Sequence, residues 1–242
     1  MNRVAPLMAL LLAALPSAMA AAQGIEPSLD LTTDERRRGL SWSRGRPALV
    51  AGVVVPVGST LSLGARGTTL RRSARHGGAA LGFDLDAMIA RDLGPWRLSG
   101  GVIGHVFTGR SELGYAEVEA GVGHLIGPLQ IDLTATYAPR QRAIGGDNLY
   151  VRLAGSAALP GTPLALRAHL GHSSGDTRDI ERAARLRPDG DYWDYRIGLD
   201  LTRTPVTFGV ALSGTSADRP APGRFVDRHV GTRLVAFARL AP

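Results

Sequence analysis

The sequence predicts an all-β fold, a transmembrane antiparallel up-and-down β-barrel of about twelve strands behind a cleavable signal peptide. Three observations support this prediction. The chain opens with the pattern of an export signal, the rest alternates apolar and polar residues, and the links between the alternating segments are short and long in turn. Together they predict a signal peptide over residues 1–22 and a single barrel domain over residues 23–242.

The N-terminus has the three parts of a secretory signal peptide. Arg3 is the only charge ahead of the apolar run 4–15, and an alanine-rich stretch with an Ala-x-Ala site follows over 18–22. The apolar run is shorter than the roughly 20 residues that a transmembrane helix needs, which disfavours the alternative of an uncleaved anchor. We therefore expect Sec export and cleavage after Ala20 or Ala22.

The remaining chain alternates apolar and polar residues with a period of two. In 129–137, Leu, Ile, Ala and Tyr occupy the odd positions, whereas Gln, Asp and Thr occupy the even ones. Successive side chains of a strand point to opposite faces, so each such segment has one apolar and one polar face. About twelve segments follow this pattern, most near the roughly 9–11 residues with which a tilted strand crosses a bilayer. They are 26–40, 47–56, 59–67, 79–91, 95–107, 114–126, 128–138, 148–159, 163–172, 191–202, 205–214 and 228–240.

The links between these segments alternate in length. Tight turns, most of them with Gly or Pro, occur at 57–58, 92–94, 127, 160–162 and 203–204. Longer polar links separate them, at 68–78, 108–113, 139–147, 173–190 and 215–227. Bacterial outer-membrane barrels have short periplasmic turns and longer extracellular loops, whereas a soluble sandwich does not require this alternation. The longest link, 173–190, is the predicted lid or constriction.

Aromatic residues lie near the ends of the predicted strands. Interfacial girdles of aromatic side chains belong at these positions in a membrane barrel. We expect girdle positions for Trp42, Trp96, Phe107, Tyr115, Tyr137, Tyr192 and Trp193.

The charge composition does not point to nucleic acid. The net charge is +7, and all 28 basic residues are arginines. They form no block of five or more like charges, few aromatics lie between them, and an exported chain rarely meets nucleic acid. The chain has no cysteine, which excludes disulfides, thiol catalysis and thiolate metal sites.

Charged residues within the strands predict a polar lumen. If the apolar faces meet lipid, the charges on the other faces point inward, because an arginine facing lipid at the midplane costs about 2–4 kcal/mol. The predicted pore-lining residues are Arg66, Asp84, Asp86, Arg97, Glu117, Glu119, Asp132, Arg152, Arg167, Asp194, Arg196 and Asp200. Arginines of the loops are expected to face outside, where they could meet lipopolysaccharide or simply be solvated; these are Arg71, Arg72, Arg75, Arg178, Arg182, Arg185 and Arg187.

No catalytic, metal or cofactor site is predicted. The carboxylates of Asp84 and Asp86, or of Glu117 and Glu119, share a face about 7 Å apart, a spacing compatible with an inverting glycosidase. A polar lumen wall is the favoured interpretation of both pairs. His169 and His172 point to opposite faces of one strand and cannot share a metal. No Gly-x-Ser-x-Gly motif is present to organise a serine nucleophile.

Six short motifs follow one another along the chain: 34–41 (DERRRGLS), 47–48 (PA), 115–121 (YAEVEAG), 127–129 (GPL), 159–161 (LPG) and 191–198 (DYWDYRIG). In this order they resemble the TorF family of porins, and the resemblance covers nearly the whole mature chain. The chain departs from the family at Glu35 and Arg37, where aromatic residues are usual. The resemblance implies an outer-membrane barrel with a porin function.

The expected function is passive diffusion of small solutes through a charged lumen, by a monomeric barrel in the outer membrane of a Gram-negative-type cell. Its expected partners are outer-membrane lipids, lipopolysaccharide and small solutes. Two alternatives stay open. One is a non-conducting structural or adhesive barrel whose interior is filled by side chains and ion pairs. The other is a lipid-modifying barrel enzyme, which needs a serine and a histidine within hydrogen-bond reach.

Overall fold

The computed structural model describes residues 24–217 and 223–241, so the predicted signal peptide 1–22 and the terminal Pro242 lie outside the described residues. Twelve strands form a closed antiparallel barrel in which neighbours in the chain are neighbours in the sheet, and two short strands form a separate hairpin. The predicted twelve-stranded barrel is confirmed. The strands are β1 (Glu26–Thr32), β2 (Arg36–Arg37), β3 (Leu40–Ser41), β4 (Ala48–Val57), β5 (Leu61–Thr69), β6 (Leu81–Leu93), β7 (Trp96–Phe107), β8 (Tyr115–Ile126), β9 (Leu129–Gln141), β10 (Gly146–Ala158), β11 (Leu164–Ser174), β12 (Tyr192–Arg203), β13 (Val206–Thr215) and β14 (Arg233–Leu240), of which β2 and β3 form the hairpin.

Ten of the twelve predicted strands match the structure to within three residues at each end. The first prediction, 26–40, is wrong beyond Thr32. A strand continued through the charged run 35–38 would turn alternate charges toward the apolar exterior, and the chain bends into the lumen instead. The last prediction, 228–240, is wrong at its start, because β14 begins at Arg233.

The barrel closes between its first and last strands. β1 pairs with β14 from Leu29 opposite Leu240 to Thr32 opposite Phe237. On its other side β1 pairs with β4 along its whole length. The seam is short, because β1 has seven residues and β14 has eight.

The outer face of the barrel is apolar. Leu133, Leu153 and Ile197 are 47%, 52% and 57% exposed, although they are large aliphatic side chains. Their polar neighbours along the strands point inward. Exposed aliphatic side chains around a polar interior are the arrangement that a lipid-facing barrel requires. None of the helices in 24–217 and 223–241 is long and apolar enough to cross a membrane.

Short and long connections lie at opposite ends of the barrel. The turn end carries 58–60, 94–95, 127–128, 159–163 and 204–205, and the loop end carries 33–47, 70–80, 108–114, 142–145, 175–191 and the described parts 216–217 and 223–232 of the last loop. The described loops contain the 3-10 turns Ala74–His76, Ser111–Leu113 and Arg142–Ile144 and the short helix α1 (Ile180–Ala183). We call residues 33–47 the plug and the other five loops the cap.

Candidate functional site in the barrel lumen

The plug folds back into the lumen as the β2–β3 hairpin. Its tip is the pair Arg38 and Gly39, with φ values of 50° and 70°. Gly39 lies against the barrel wall, and a Cβ atom there would be 2.7 Å from the carbonyl oxygen of Gly214 and 2.8 Å from Cβ of Asp194. Only glycine combines this conformation with so close an approach. The tip is therefore fitted to β12 and β13.

Two plug arginines bind carboxylates of the lumen wall. Arg37 Nη1 lies 2.6 Å from Asp84 Oδ2 on β6, and Arg38 Nη2 lies 2.7 Å from Glu117 Oε2 on β8. His105 on β7 joins the same carboxylates, with Nδ1 2.7 Å from Asp84 Oδ1 and Nε2 3.2 Å from Glu117 Oε2. These side chains are largely buried, so their ion pairs are screened less than pairs in water. The network fastens the plug across three neighbouring strands.

The base of the plug is organised around the buried carboxylate of Asp34. Asp34 Oδ1 accepts hydrogen bonds from Ser41 Oγ at 2.6 Å and Ser43 Oγ at 3.1 Å. Its Oδ2 lies 3.4 Å from Nη1 of Arg36. Arg36 also donates to the carbonyl oxygen of Gly231 at 2.8 Å, in the loop before β14. The hairpin is thus held to the cap as well as to the wall.

An apolar core fills the loop end of the barrel. It is built from residues of the plug, of the cap and of the adjoining strand ends, so it spans the lumen rather than lining it. Close packing of this kind excludes water from the space between the packed side chains. Its buried members are Trp42, Leu70, Ala79, Phe107, Leu113, Tyr115, Ala138, Ala143, Ile144, Leu186 and Phe225.

Two cap arginines are inserted into this core. Arg75 and Arg185 are 0% and 1% exposed. Arg185 donates to the carbonyl oxygens of Arg75 at 3.0 Å and Leu113 at 2.9 Å, and also to that of Ala143. Arg75 Nε donates to the carbonyl oxygen of Ser41 in the plug at 3.3 Å. Burial lowers the pKa of Arg185 to about 10, so its guanidinium stays charged at neutral pH.

The prediction that the loop arginines face outside is therefore wrong for three of them. Arg75, Arg185 and Arg187 are buried, because backbone carbonyl oxygens of other loops satisfy their guanidinium groups. Arg187, for example, donates to the carbonyl oxygen of Asp176 at 2.8 Å. Arg71, Arg72 and Arg178 are exposed as expected, and Arg182 is partly buried.

His76 lies at the centre of the cap with no hydrogen-bond partner among the described residues for either ring nitrogen. Its ring lies between Trp42, at a centroid distance of 4.4 Å, and Phe107, at 4.8 Å. Burial lowers the pKa of His76 well below its ordinary value, and the positive charges of Arg185 and Arg75 lower it further. The imidazole is therefore neutral at neutral pH.

Below the plug the lumen opens into a chamber. The chamber has a volume of about 640 Å³, and Asp34, Glu35 and the three plug arginines form its roof. Arg167 lines it with 61% of its side chain exposed, so water enters from the turn end. The lumen is thus open at one end and filled at the other.

The twelve predicted pore-lining residues separate into three groups by their surroundings. The chamber wall includes Arg66, Glu117, Glu119, Asp132, Arg152, Arg167, Arg196 and Asp200. Asp84, Asp86 and Asp194 also point inward outside that wall, Asp84 against Arg37, Asp86 over Gly64 and Asp194 against His169. Arg97 lies at the exposed turn end, paired with Asp92 at 3.4 Å. Whether these residues line a conducting pore stays a prediction.

The girdle prediction is wrong for four aromatics. Trp42, Phe107, Tyr115 and Tyr192 are buried in the loop-end core or against the plug. Tyr115 lies on the same face as Glu117, and Tyr192 on the same face as Asp194, so both point into the lumen. Trp96, Tyr137 and Trp193 point outward near strand ends, and for these three the girdle stays a prediction.

The described residues contain no hydrogen bond between a serine hydroxyl and a histidine ring. Ser73 and His229 meet at one carboxylate instead, since Ser73 Oγ donates to Asp227 Oδ2 at 2.6 Å and His229 Nδ1 lies 2.6 Å from Asp227 Oδ1. A nucleophilic serine needs the histidine itself as its base. In the same part of the chain, no group of three or more His, Cys, Asp or Glu is arranged to hold a metal ion.

The plug is the functional element that the sequence-based prediction missed. A signal for it exists in the charged run 35–38, which lies inside a segment assigned to the wall. In a membrane strand, alternate members of that run would face lipid at a cost of about 2–4 kcal/mol each near the midplane. Such a run indicates a segment that leaves the wall.

The fold defines the class of this protein as a closed antiparallel barrel of the kind found in outer-membrane porins and channels. More particularly, the chain belongs to a family described as bacterial protein of unknown function (Gcw_chp), which it matches over residues 18–237. No curated protein matches the chain in sequence.

Two solved structures show the likeness of fold. The KdgM porin superposes with a TM-score of 0.57 at 6% identity, over 89% of this chain and 97% of that one. The COG4313 outer membrane channel from Pseudomonas putida F1 also gives a TM-score of 0.57, at 12% identity over 90% of this chain and 94% of that one. At these identities the likeness concerns the fold alone.

Proposed function

We propose that the protein is a porin-type channel of the outer membrane that its own plug holds closed. Small solutes diffuse through the charged lumen only when residues 33–47 leave it. The observation that carries this proposal is the pair of buried salt bridges from Arg37 and Arg38 to Asp84 and Glu117. A tethered polar hairpin held by ion pairs is a removable obstruction, since its charges regain solvation when it leaves.

Several features support an outer-membrane location and a porin type. The exterior is apolar, short turns and long loops lie at opposite ends, and the chamber is polar. The ordered motifs that resemble TorF porins and the expected Sec export agree with this location. The proposal takes the barrel as a monomer and places the exposed arginines Arg71, Arg72 and Arg178 among lipopolysaccharide phosphates.

Single-channel recording in planar bilayers tests the proposal. We expect the wild type to be silent for most of the recording and the double variant R37Q/R38Q to give frequent stepwise conductance. A variant with a Gly/Ser linker of equal length in place of 34–46 should stay open. The matched control is R178Q/R228Q, which removes the same charge from exposed loop positions and should behave as the wild type.

A second candidate function is a non-conducting barrel that acts through its loops, in adhesion or in envelope integrity. The apolar core at the loop end favours it, because eleven buried residues close the lumen independently of the salt bridges. This candidate predicts that the linker variant is silent as well. Silence of all variants, together with heat-modifiable migration of folded barrels on gels, would establish it against the closed channel.

A further inference from the structure

Opposite charges occupy different parts of the lumen wall. The strands β6 to β9 contribute carboxylates to the interior, and none of their described arginines lines the chamber. The inward carboxylates of these strands are Asp84, Asp86, Glu117, Glu119 and Asp132. The strands β10 to β12 contribute Arg152, Arg167 and Arg196. The chamber is thus polarised across its width.

We call the part of the wall formed by β6 to β9 the acidic wall. Most of its carboxylates have partners within the protein. The plug arginines neutralise Asp84 and Glu117. Thr136 donates to Glu119 at 2.9 Å, and Gln130 donates to Asp132 at 3.0 Å. A cation that entered the chamber would have to compete with these donors.

The part of the wall formed by β10 to β12, which we call the basic wall, has arginines that the protein itself does not satisfy. Its carboxylates are already paired, Asp200 with Arg167 at 2.6 Å and Asp194 with His169 at 3.0 Å. Arg152 and Arg196 make no salt bridge or hydrogen bond with any described residue, although both line the chamber. Two guanidinium groups therefore offer free donors to whatever occupies the chamber.

The strand register brings these two arginines to one patch. Arg196 on β12 lies opposite His169 on β11, and Arg152 on β10 lies opposite Gly171, two residues further along the same strand. Only β11 separates them, which places their backbones roughly 10 Å apart. The Tyr150 hydroxyl and the Asp194 carboxylate lie over Gly171. Arg152, Arg196 and Gly198 all line the chamber, so both long arginine side chains can reach one small ligand there.

We propose that the chamber is a binding site for a small organic anion, whose carboxylate or phosphate is held by Arg152 and Arg196. The proposal rests on the proposed function, because it names the class of solute that the lumen accepts. Guanidinium groups bind both oxyanions in bidentate geometry. A volume of about 640 Å³ suits a small metabolite-sized molecule with its hydration water.

Isothermal titration of the full folded barrel in detergent at low salt tests the site. The probes are succinate and inorganic phosphate, with choline as the cationic probe and glycerol as the neutral one. We expect at least one of the two anions to bind the wild type, and R152Q or R196Q each to weaken it by about tenfold. The matched control R178Q loses the same charge at an exposed loop position and should bind as the wild type.

Several results would overturn the site. These are no binding of either anion, equal binding by R152Q/R196Q and the wild type, or preferential binding of choline. Heat-modifiable migration on gels shows whether each variant is folded, and R152K/R196K offers a gentler change that keeps the charge and should bind with intermediate affinity. Binding is measured in solution and needs no conductance, so a failure here is distinct from silence in bilayers.

Discussion

Arg38 Nη2 lies 2.7 Å from Oε2 and 2.9 Å from Oε1 of Glu117, although the two residues are 79 positions apart in the chain. One is the tip of a hairpin and the other belongs to the barrel wall. The contact therefore fixes an internal loop to a strand of the closed sheet, in a position where the Glu117 side chain is 3% exposed.

Replacing Glu117 by alanine is expected to destabilise the folded barrel strongly. The change leaves Arg38 buried without its partner, which costs about 3–5 kcal/mol. The comparison is D92A, which breaks the pair with Arg97 where both side chains are more than half exposed, and which should cost less than about 1 kcal/mol. Urea unfolding in lipid vesicles measures both. An equal loss of unfolding free energy in the two variants would show that the buried contact of the plug stabilises the barrel no more than an exposed pair does.

Replacing Gly39 by alanine is expected to displace the tip of the plug. The added Cβ would lie 2.7 Å from the carbonyl oxygen of Gly214, in addition to the cost of a positive φ. Gly58 in a turn has almost the same φ, 69°, with nothing within 4 Å of its Cβ position, so G58A isolates the cost of conformation. We expect G39A alone to speed trypsin cleavage at the arginines of 36–38. Equal cleavage rates in the two variants would contradict the fitted tip.

Removing the Arg185 guanidinium is expected to loosen the cap. R185A leaves the carbonyl oxygens of Arg75, Leu113 and Ala143 without their donor and should cost about 3 kcal/mol or more. Hydrogen exchange should then accelerate in the loops 70–80, 108–114 and 142–145 together. R178A, at an exposed position of the same loop, should leave exchange unchanged. Faster exchange in only one loop would argue against a joint role.

The cap is expected to lose stability as the pH falls below about 6.5. Because burial lowers the pKa of His76, the folded state binds fewer protons there than the open state. The stability that the neutral His76 contributes to the cap is complete above the ordinary histidine pKa and is lost as the pH falls toward the lowered pKa. The fluorescence of Trp42 against pH, in a variant with the other tryptophans replaced, reports the opening.

The matched variant for this pH prediction is H76F. It fills the place between Trp42 and Phe107 with an aromatic ring that does not titrate, so the loss of stability as the pH falls below about 6.5 should shrink. At more acidic pH a second loss should remain in H76F. Burial alone would raise the pKa of Asp227, but hydrogen bonds from Ser73 and His229 outweigh it and lower that pKa. The stability that the ionised Asp227 contributes is therefore lost only at this more acidic pH. An unchanged profile in H76F would exclude His76 as the source.

A single arginine should distinguish the two faces of one strand. L133R places the charge on the apolar exterior and should cost about 2–4 kcal/mol in a bilayer. T134R, one residue further, places it on the chamber wall and should be tolerated. Folding yield into lipid vesicles measures the difference. Equal yields would argue against a membrane-facing exterior.

The barrel could be predicted from the sequence because its signals are local. Alternation within 129–137 fixes which residues face outward, and the lengths of the links fix which end of the barrel they occupy. The same alternation places Tyr115 with Glu117 on the inner face. The girdle prediction was wrong for Tyr115 because it used the position near a strand end and not the face on which the side chain lies.

The plug and the cap could not be predicted in the same way. The partners of Arg37 and Arg38 lie on β6 and β8, and nothing near 33–47 in the sequence indicates them. Arg75 and Arg185 are buried because backbone carbonyl oxygens of other loops surround them. Such carbonyl groups carry no sequence signature. From the sequence alone, a loop arginine is therefore predicted to be exposed. Only the contacts in the folded structure show that it is buried.

The plug is joined to the barrel wall at both ends, through β1 and β4, and the cap lies over it. Its effective concentration at its own binding site is therefore high and does not depend on the amount of protein. It cannot leave through the turn end, since both tethers start at the loop end. Any opening must part the cap first and lift the hairpin second, so two barriers act in series. Weakening only the salt bridges of the hairpin should therefore give frequent brief openings, whereas a lasting opening requires that the hairpin itself be removed.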